Sequence, residues 1–143
     1  MNAAADFYSR ALADQPENAR LLRNTASALS RVGRAGEAAA ALRRLTALRP
    51  GEGPVWLHLG MELDAAGTPD SAATAFREAL RIDPRSVDAM NELARVLLKW
   101  PAGRPEACRL LRRSLARQPR QAHTAEMEAM LRRLESDGYC REN

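Results

Sequence analysis

The sequence predicts an all-α fold, a helical repeat solenoid of antiparallel helix pairs, on three observations. First, Pro16, Pro50 and Pro84 stand 34 residues apart, and Pro119 follows 35 residues later. Each proline closes a similar phrase, as in Ala79-Leu80-Arg81-Ile82-Asp83-Pro84. Second, each interval holds two stretches with apolar residues at helical spacing. A period of this length built from two helices marks a repeat array. Third, the chain is 45% apolar but only 4% aromatic, so alanine and leucine, strong helix formers, must carry the core.

Residues 1–138 read as one domain and 139–143 as a frayed tail. Segment 2–14 matches the second helix of a pair only, with Tyr8, Ala11 and Leu12 in phase with Phe76, Ala79 and Leu80. Three full repeats follow at 19–52, 53–86 and 87–121. In the first, Leu21, Leu22, Thr25, Ala26 and Leu29 form the apolar stripe of a helix that Gly33 stops. The second helix then runs from Ala35 to Leu48. In the second repeat the stripe is Val55, Trp56, Leu59, Gly60 and Leu63, ended at Gly67. Thr68 reads as an N-cap before Pro69 at the first helical position. In the third, Ala89, Met90, Leu93, Ala94 and Leu97 form the stripe. The extra residue of the longer step falls in the turn Trp100–Arg104. Thr124 reads as the cap of a final helix, 124–136, with the stripe Met127, Met130, Leu131 and Leu134. Gly138 stops it, and its polar character suits a capping helix.

Net charge is +4, and Lys99 is the only lysine among the basic residues. The charge alternates along the array. Residues 19–52 and 87–121 carry +5 each, while 53–86, 1–18 and 122–143 carry −2 each. Neighbouring units of opposite sign attract weakly, a term that salt screens. No apolar run approaches the roughly 18 residues of a membrane span. No secretory leader pattern opens the chain, so the expected setting is the cytoplasm. Cys108 and Cys140 make no metal spacing and read as free thiols in a reducing compartment. The chain reads as a short protein or a piece of a longer one.

The unit Trp56-x-x-Leu59-Gly60-x-x-Leu63, followed by Ala72-x-x-x-Phe76-x-x-Ala79 and Pro84, resembles the tetratricopeptide (TPR) repeat consensus. The first repeat supplies Leu22, Thr25, Ala26, Leu29, Ala38, Leu42, Leu45 and Pro50. The third supplies Met90, Leu93, Ala94, Leu97, Ala107, Leu111, Ser114 and Pro119. The resemblance implies a right-handed superhelix whose first helices line a concave groove. Small residues such as Gly60 and Ala72 sit where two helices approach closely.

What the resemblance implies for function is a non-catalytic scaffold or adaptor that binds a protein or peptide in that groove. The groove candidates are Arg20, Arg23, Asn24, Ser27 and Arg31, then Leu57, His58, Met61 and Asp64, then Asn91, Glu92, Arg95, Leu98 and Lys99. They make the groove basic at one end, apolar in the middle and mixed at the other. A ligand with acidic residues beside an apolar anchor suits that order. The carboxylate clamp of one TPR subgroup does not fit. Ser27 and His58 stand where that clamp needs asparagine, and Asp88 and Glu92 where it needs lysine and arginine. Trp100, in a turn, either packs beneath the capping helix or presents a binding anchor. Phe7, Tyr8 and Leu12 form an apolar edge at the N-terminal end, a candidate for self-association. Two alternatives stand beside the adaptor: a homo-oligomeric assembly scaffold, and a regulatory or targeting module of a larger enzyme. No metal site is expected, since His58 and His123 lack ligand partners at metal spacing. No cofactor is expected, since the glycines are single turn stops rather than a phosphate loop. Arg109, Arg112, Arg113, Arg117 and Arg120 lack the interleaved aromatics of a nucleic-acid surface and read as a solvated face.

Overall fold

The structure, a computed structural model, describes residues 3–141. The described chain is helical and falls into two compact units that divide between Asp83 and Pro84. The first unit holds α1 (Ala3–Asp14), α2 (Ala19–Arg31), α3 (Ala35–Leu48), α4 (Gly53–Ala65) and α5 (Pro69–Ile82). Each packs on the next in chain order. The second unit holds α6 (Val87–Leu97), a 3₁₀ turn (Pro101–Gly103), α7 (Arg104–Arg117) and α8 (Thr124–Ser136), again packed in succession.

The helix ends follow from local chemistry. Asn18 and Ser86 cap α2 and α6, their side-chain oxygens accepting from Leu21 N at 3.0 Å and Ala89 N at 3.2 Å. Gly33, Gly67 and Gly138 follow α2, α4 and α8 with φ of 77°, 85° and 82°. Glycine alone takes that left-handed conformation without a Cβ penalty. The next N–H in each case, of Arg34, Thr68 and Tyr139, bonds back to the carbonyl of Leu29, Leu63 or Leu134. Thr68 does not cap α5 as expected. Its hydroxyl donates to Leu63 O at 2.9 Å, because the reversed chain holds it over the end of α4. Thr124 likewise serves the preceding turn, bonding to Gln121, and His123 at φ 62° enters α8 instead.

Packing is tightest where the repeats place a small residue against a large one. A Cβ on Gly60 would lie under 3.0 Å from three ring carbons of Phe76, which is fully buried. Full burial of such a ring is worth roughly 3 kcal/mol. Ala26 and Ala94 are also fully buried, as small residues at the equivalent places. Gly103 serves the longer turn, since a Cβ there would overlap the Leu97 carbonyl.

A further contact recurs along the array. The carbonyls of Pro16, Pro50 and Pro84 each accept a hydrogen bond from the following repeat. Arg44 donates to Pro16 O, Trp56 Nε1 to Pro50 O at 2.9 Å, and Arg113 to Pro84 O at 3.2 Å. Proline ends the helix and leaves its carbonyl exposed to such a donor. At the α1–α3 junction, Arg34 bonds Glu37 through two nitrogens and reaches Asp6 at 3.5 Å. The hydrogen bond from Arg34 holds Glu37 below the usual carboxylate range and raises Arg34.

The C-terminal segment corrects two expectations. Cys108 and Cys140 are joined in a disulfide rather than free. Gly138 turns the chain back along α7, which brings Cys140 to the buried Cys108 with the two Cα atoms 5.5 Å apart. The tail is held as far as Cys140. Arg104 lies over the Tyr139 ring at 5.0 Å and donates to its hydroxyl at 2.8 Å. Arg112 bonds the Cys140 carbonyl at 3.2 Å and pairs with Glu135 at 2.9 Å. Glu142 and Asn143, like Asn2 of the half repeat, lie outside the described residues.

Candidate functional site

The first helices carry the candidate binding residues, and the structure sorts them. On α2, Arg20 and Arg31 are exposed, while Asn24 and Ser27 are half-buried. These four recur at helical spacing and share one face. Arg23 lies beside them and pairs with Glu52 at 2.8 Å, just before α4. On α4, Leu57, His58 and Asp64 are half-buried, and Met61 is 47% exposed. The first unit thus joins a basic stripe to an apolar one.

Beneath that face lies a polar contact that reading the repeats singly does not reveal. Glu62 is buried on α4 and accepts from the Ser30 hydroxyl of α2. His58 Nε2 lies 3.3 Å from the same Glu62 oxygen. The carboxylate therefore stands between the hydroxyl and the imidazole. A nucleophile relay requires the imidazole in the middle, so this trio fixes α2 to α4 and has no catalytic order. Its sequence signal is an acid where the equivalent residues are Ala28 and Val96.

In the second unit Asn91 is half-buried and held in a polar network. Its amide donates to Gln121 Oε1 at 2.6 Å, and its carbonyl oxygen accepts from the buried Ser114 at 2.5 Å. Gln121 returns bonds to Ser114 Oγ at 3.1 Å and Gln118 O at 2.8 Å. The network ties Asn91 of α6 to Ser114 of α7 and to the turn into α8. Ser114 standing where Leu45 and Ala79 are apolar is the signal for it. Glu92 and Arg95 pair with each other at 2.7 Å, Leu98 is half-buried, and Lys99 is exposed. Trp100 is half-buried at the start of the 3₁₀ turn.

At the N-terminal edge Phe7 is 66% exposed and meets Tyr8 edge-on, with ring centres 5.5 Å apart. Tyr8 packs against a core of Ala5, Ala28, Leu29 and Ala38. Leu12 is buried, so it cannot belong to an exposed edge; α1 turns it toward the core. Among the described residues no group of three or more His, Cys, Asp or Glu is placed to hold a metal ion. No described helix is long and apolar enough to cross a membrane.

Stacked helix pairs with a repeating glycine stop, a small–large core contact and a bonded proline carbonyl define a helical-repeat protein. Two tetratricopeptide-repeat family models match the sequence, over residues 1–53 and 54–96. The chain belongs to the tetratricopeptide repeat family. No curated protein matches it at a significant level. Among solved structures, the crystal structure of MamA has a TM-score of 0.82 at 16% identity, covering 94% of this chain and 77% of MamA. The Yersinia enterocolitica type III secretion chaperone SycD, solved with a peptide of the translocator YopD, has a TM-score of 0.74. It is 18% identical over 82% of this chain and 92% of SycD. YrrB, described as a TPR protein with an unusual peptide-binding site, has a TM-score of 0.78. It is 22% identical over 87% of this chain and 64% of YrrB. At these identities the likeness is one of fold.

Proposed function

We propose that the chain is a non-catalytic scaffold that holds a peptide or protein segment on the first-helix face of α2 and α4. The observation that carries this is Met61, 47% exposed on α4 beside half-buried Leu57 and His58. An apolar, adaptable side chain in that place suits an apolar anchor of a ligand. Arg20 and Arg31, exposed on α2, suit acidic residues beside that anchor. Arg23, already paired with Glu52, serves less directly. Glu92 and Arg95 on α6, with Lys99 in the turn just after it, offer mixed charge in the other unit. The peptide held by SycD and the peptide site of YrrB lend support through the shared fold.

Decapeptides that place an acidic pair beside leucine or phenylalanine, titrated into the chain by calorimetry, test the reading. Met61→Asp, and separately Arg20→Glu with Arg31→Glu, should each weaken the best peptide about tenfold, a loss of about 1.4 kcal/mol. Added salt should weaken it too. Affinity that ignores all three changes refutes the assignment. A peptide ending Glu-Glu-Val-Asp should not saturate the chain at about 100 μM, because Asp88 and Glu92 repel its carboxylates.

A further inference from the structure

Cys108 and Cys140 share a bridge but not an environment. Cys108 lies on α7 and is fully buried. Its equivalents in the two earlier full pairs are Ala39 and Ala73, 3% and 4% exposed. That place of a second helix is sealed in all three full pairs, and in the last one a thiol fills it. Cys140 lies in the turn that follows α8 and is half-buried.

The difference decides which sulfur a thiol can reach. Thiol–disulfide exchange begins when a thiolate attacks one sulfur and expels the other, so its rate depends on access to the attacked sulfur. Burial closes the approach to Cys108. The approach to Cys140 is open from solvent, with Cys108 on the far side as the leaving group.

The surroundings select the incoming thiol by charge. Arg112 donates to the Cys140 carbonyl and is itself exposed. Arg141, next in the chain, is exposed, as is Arg109, one turn before Arg112 on α7. The acids nearby are Glu135, which Arg112 pairs, and Asp137, which is exposed. The balance is basic and draws a thiol that carries carboxylates. Glutathione has that chemistry.

We propose that Cys140 is a site of reversible S-glutathionylation, with Cys108 as its resolving thiol. In the reducing direction a glutathione thiolate attacks Cys140 Sγ and forms a new S–S bond. The bond to Cys108 breaks, and Cys108 leaves with the electron pair as a thiolate that takes a proton. A second glutathione thiolate then attacks the bound glutathione sulfur. Cys140 is released as a thiol, and oxidised glutathione departs with the two electrons lost. In the oxidising direction oxidised glutathione modifies Cys140 and releases reduced glutathione. The Cys108 thiolate then expels the bound glutathione and re-forms the bridge. While glutathione occupies Cys140, the turn after α8 cannot lie closed over Cys108.

The oxidised full chain is mixed with reduced glutathione and quenched with acid at early times. Freed thiols are alkylated with a maleimide, and both labels are mapped by tandem mass spectrometry. Glutathione on Cys140 with maleimide on Cys108 should exceed the reverse by at least about tenfold, since access differs so much between the two sulfurs. In urea, where both are exposed, the preference should vanish. Cys108→Ala puts at this place of α7 the residue that Ala39 and Ala73 supply elsewhere, so circular dichroism should show it folded. Oxidised glutathione should leave a lasting adduct on Cys140 in that variant, because no thiol remains to resolve it. Arg141→Glu should slow the reaction of glutathione about threefold more than that of uncharged mercaptoethanol, a difference that salt removes. Equal partition in the folded chain, a first adduct on Cys108, or no adduct on Cys140 in Cys108→Ala overturns the proposal. Equal slowing of both thiols by Arg141→Glu overturns the choice of glutathione.

Discussion

Reducing the Cys108–Cys140 disulfide should destabilise the second unit by an amount that its position sets. The bridge spans a sequence separation of 32. Closing a loop of that size removes unfolded-state entropy worth about 3.7 kcal/mol at room temperature. With a urea dependence of roughly 2 kcal/mol per molar for a unit of this size, the midpoint should fall by roughly 1–2 M. The assay is urea unfolding followed by circular dichroism, on chain equilibrated with oxidised glutathione and on chain kept with reductant. Cys140→Ser, a change at the half-buried end of the bridge, should reproduce the reduced midpoint without disturbing the buried Cys108. Thiol titration of the oxidised chain in denaturant should find no free thiol. Two reactive thiols after that equilibration, or equal midpoints with and without reductant, would refute the assignment. The result also bears on setting, because disulfides persist in oxidising compartments and not in reducing ones.

Two further substitutions test the interior. Thr25 is 2% exposed and its hydroxyl has no hydrogen-bond partner among the described residues. Thr25→Val removes that buried polar group at similar volume and should raise stability by about 1 kcal/mol, read as a higher melting temperature; a lower one would show that the hydroxyl is bonded. Ser114→Ala should cost about 1–2 kcal/mol in chemical denaturation, because Asn91 Oδ1 loses its buried donor and Gln121 one acceptor. A neutral result would mean that the network's ties to the turn into α8 add no stability.

The helix-pair architecture was legible because it rests on local signals that repeat. A proline period, paired apolar stripes and single glycines define the pairs independently of any long-range contact. The exposure of the candidate site residues was legible in part. Arg20, Arg31 and Met61 could be named because exposure on a helix follows from lying off its apolar stripe. Asn91 could not be judged that way, since its bonding partner Gln121 lies in a turn 30 residues on. Glu62 was hidden for the same reason, its meaning residing in a serine of another helix. The disulfide was missed because 32 residues of separation carry no pairing signal by themselves, and only the turn at Gly138 makes the two sulfurs meet. The hydroxyls of Thr68 and Thr124 had the right positions for caps, but each found a carbonyl closer to hand.

The bonded proline carbonyls bear on how such an array can lengthen over evolution. Each repeat carries within itself the donor for the proline that precedes it: Arg44 for Pro16, Trp56 for Pro50 and Arg113 for Pro84. A tandem duplication therefore copies the donor together with the new acceptor. The inserted unit caps its predecessor, and its own proline is capped by the unit that follows. The two chemical solutions, a guanidinium from the second helix and an indole from the first, serve the same acceptor. Units of either kind can thus be copied next to one another without stranding a carbonyl at the seam.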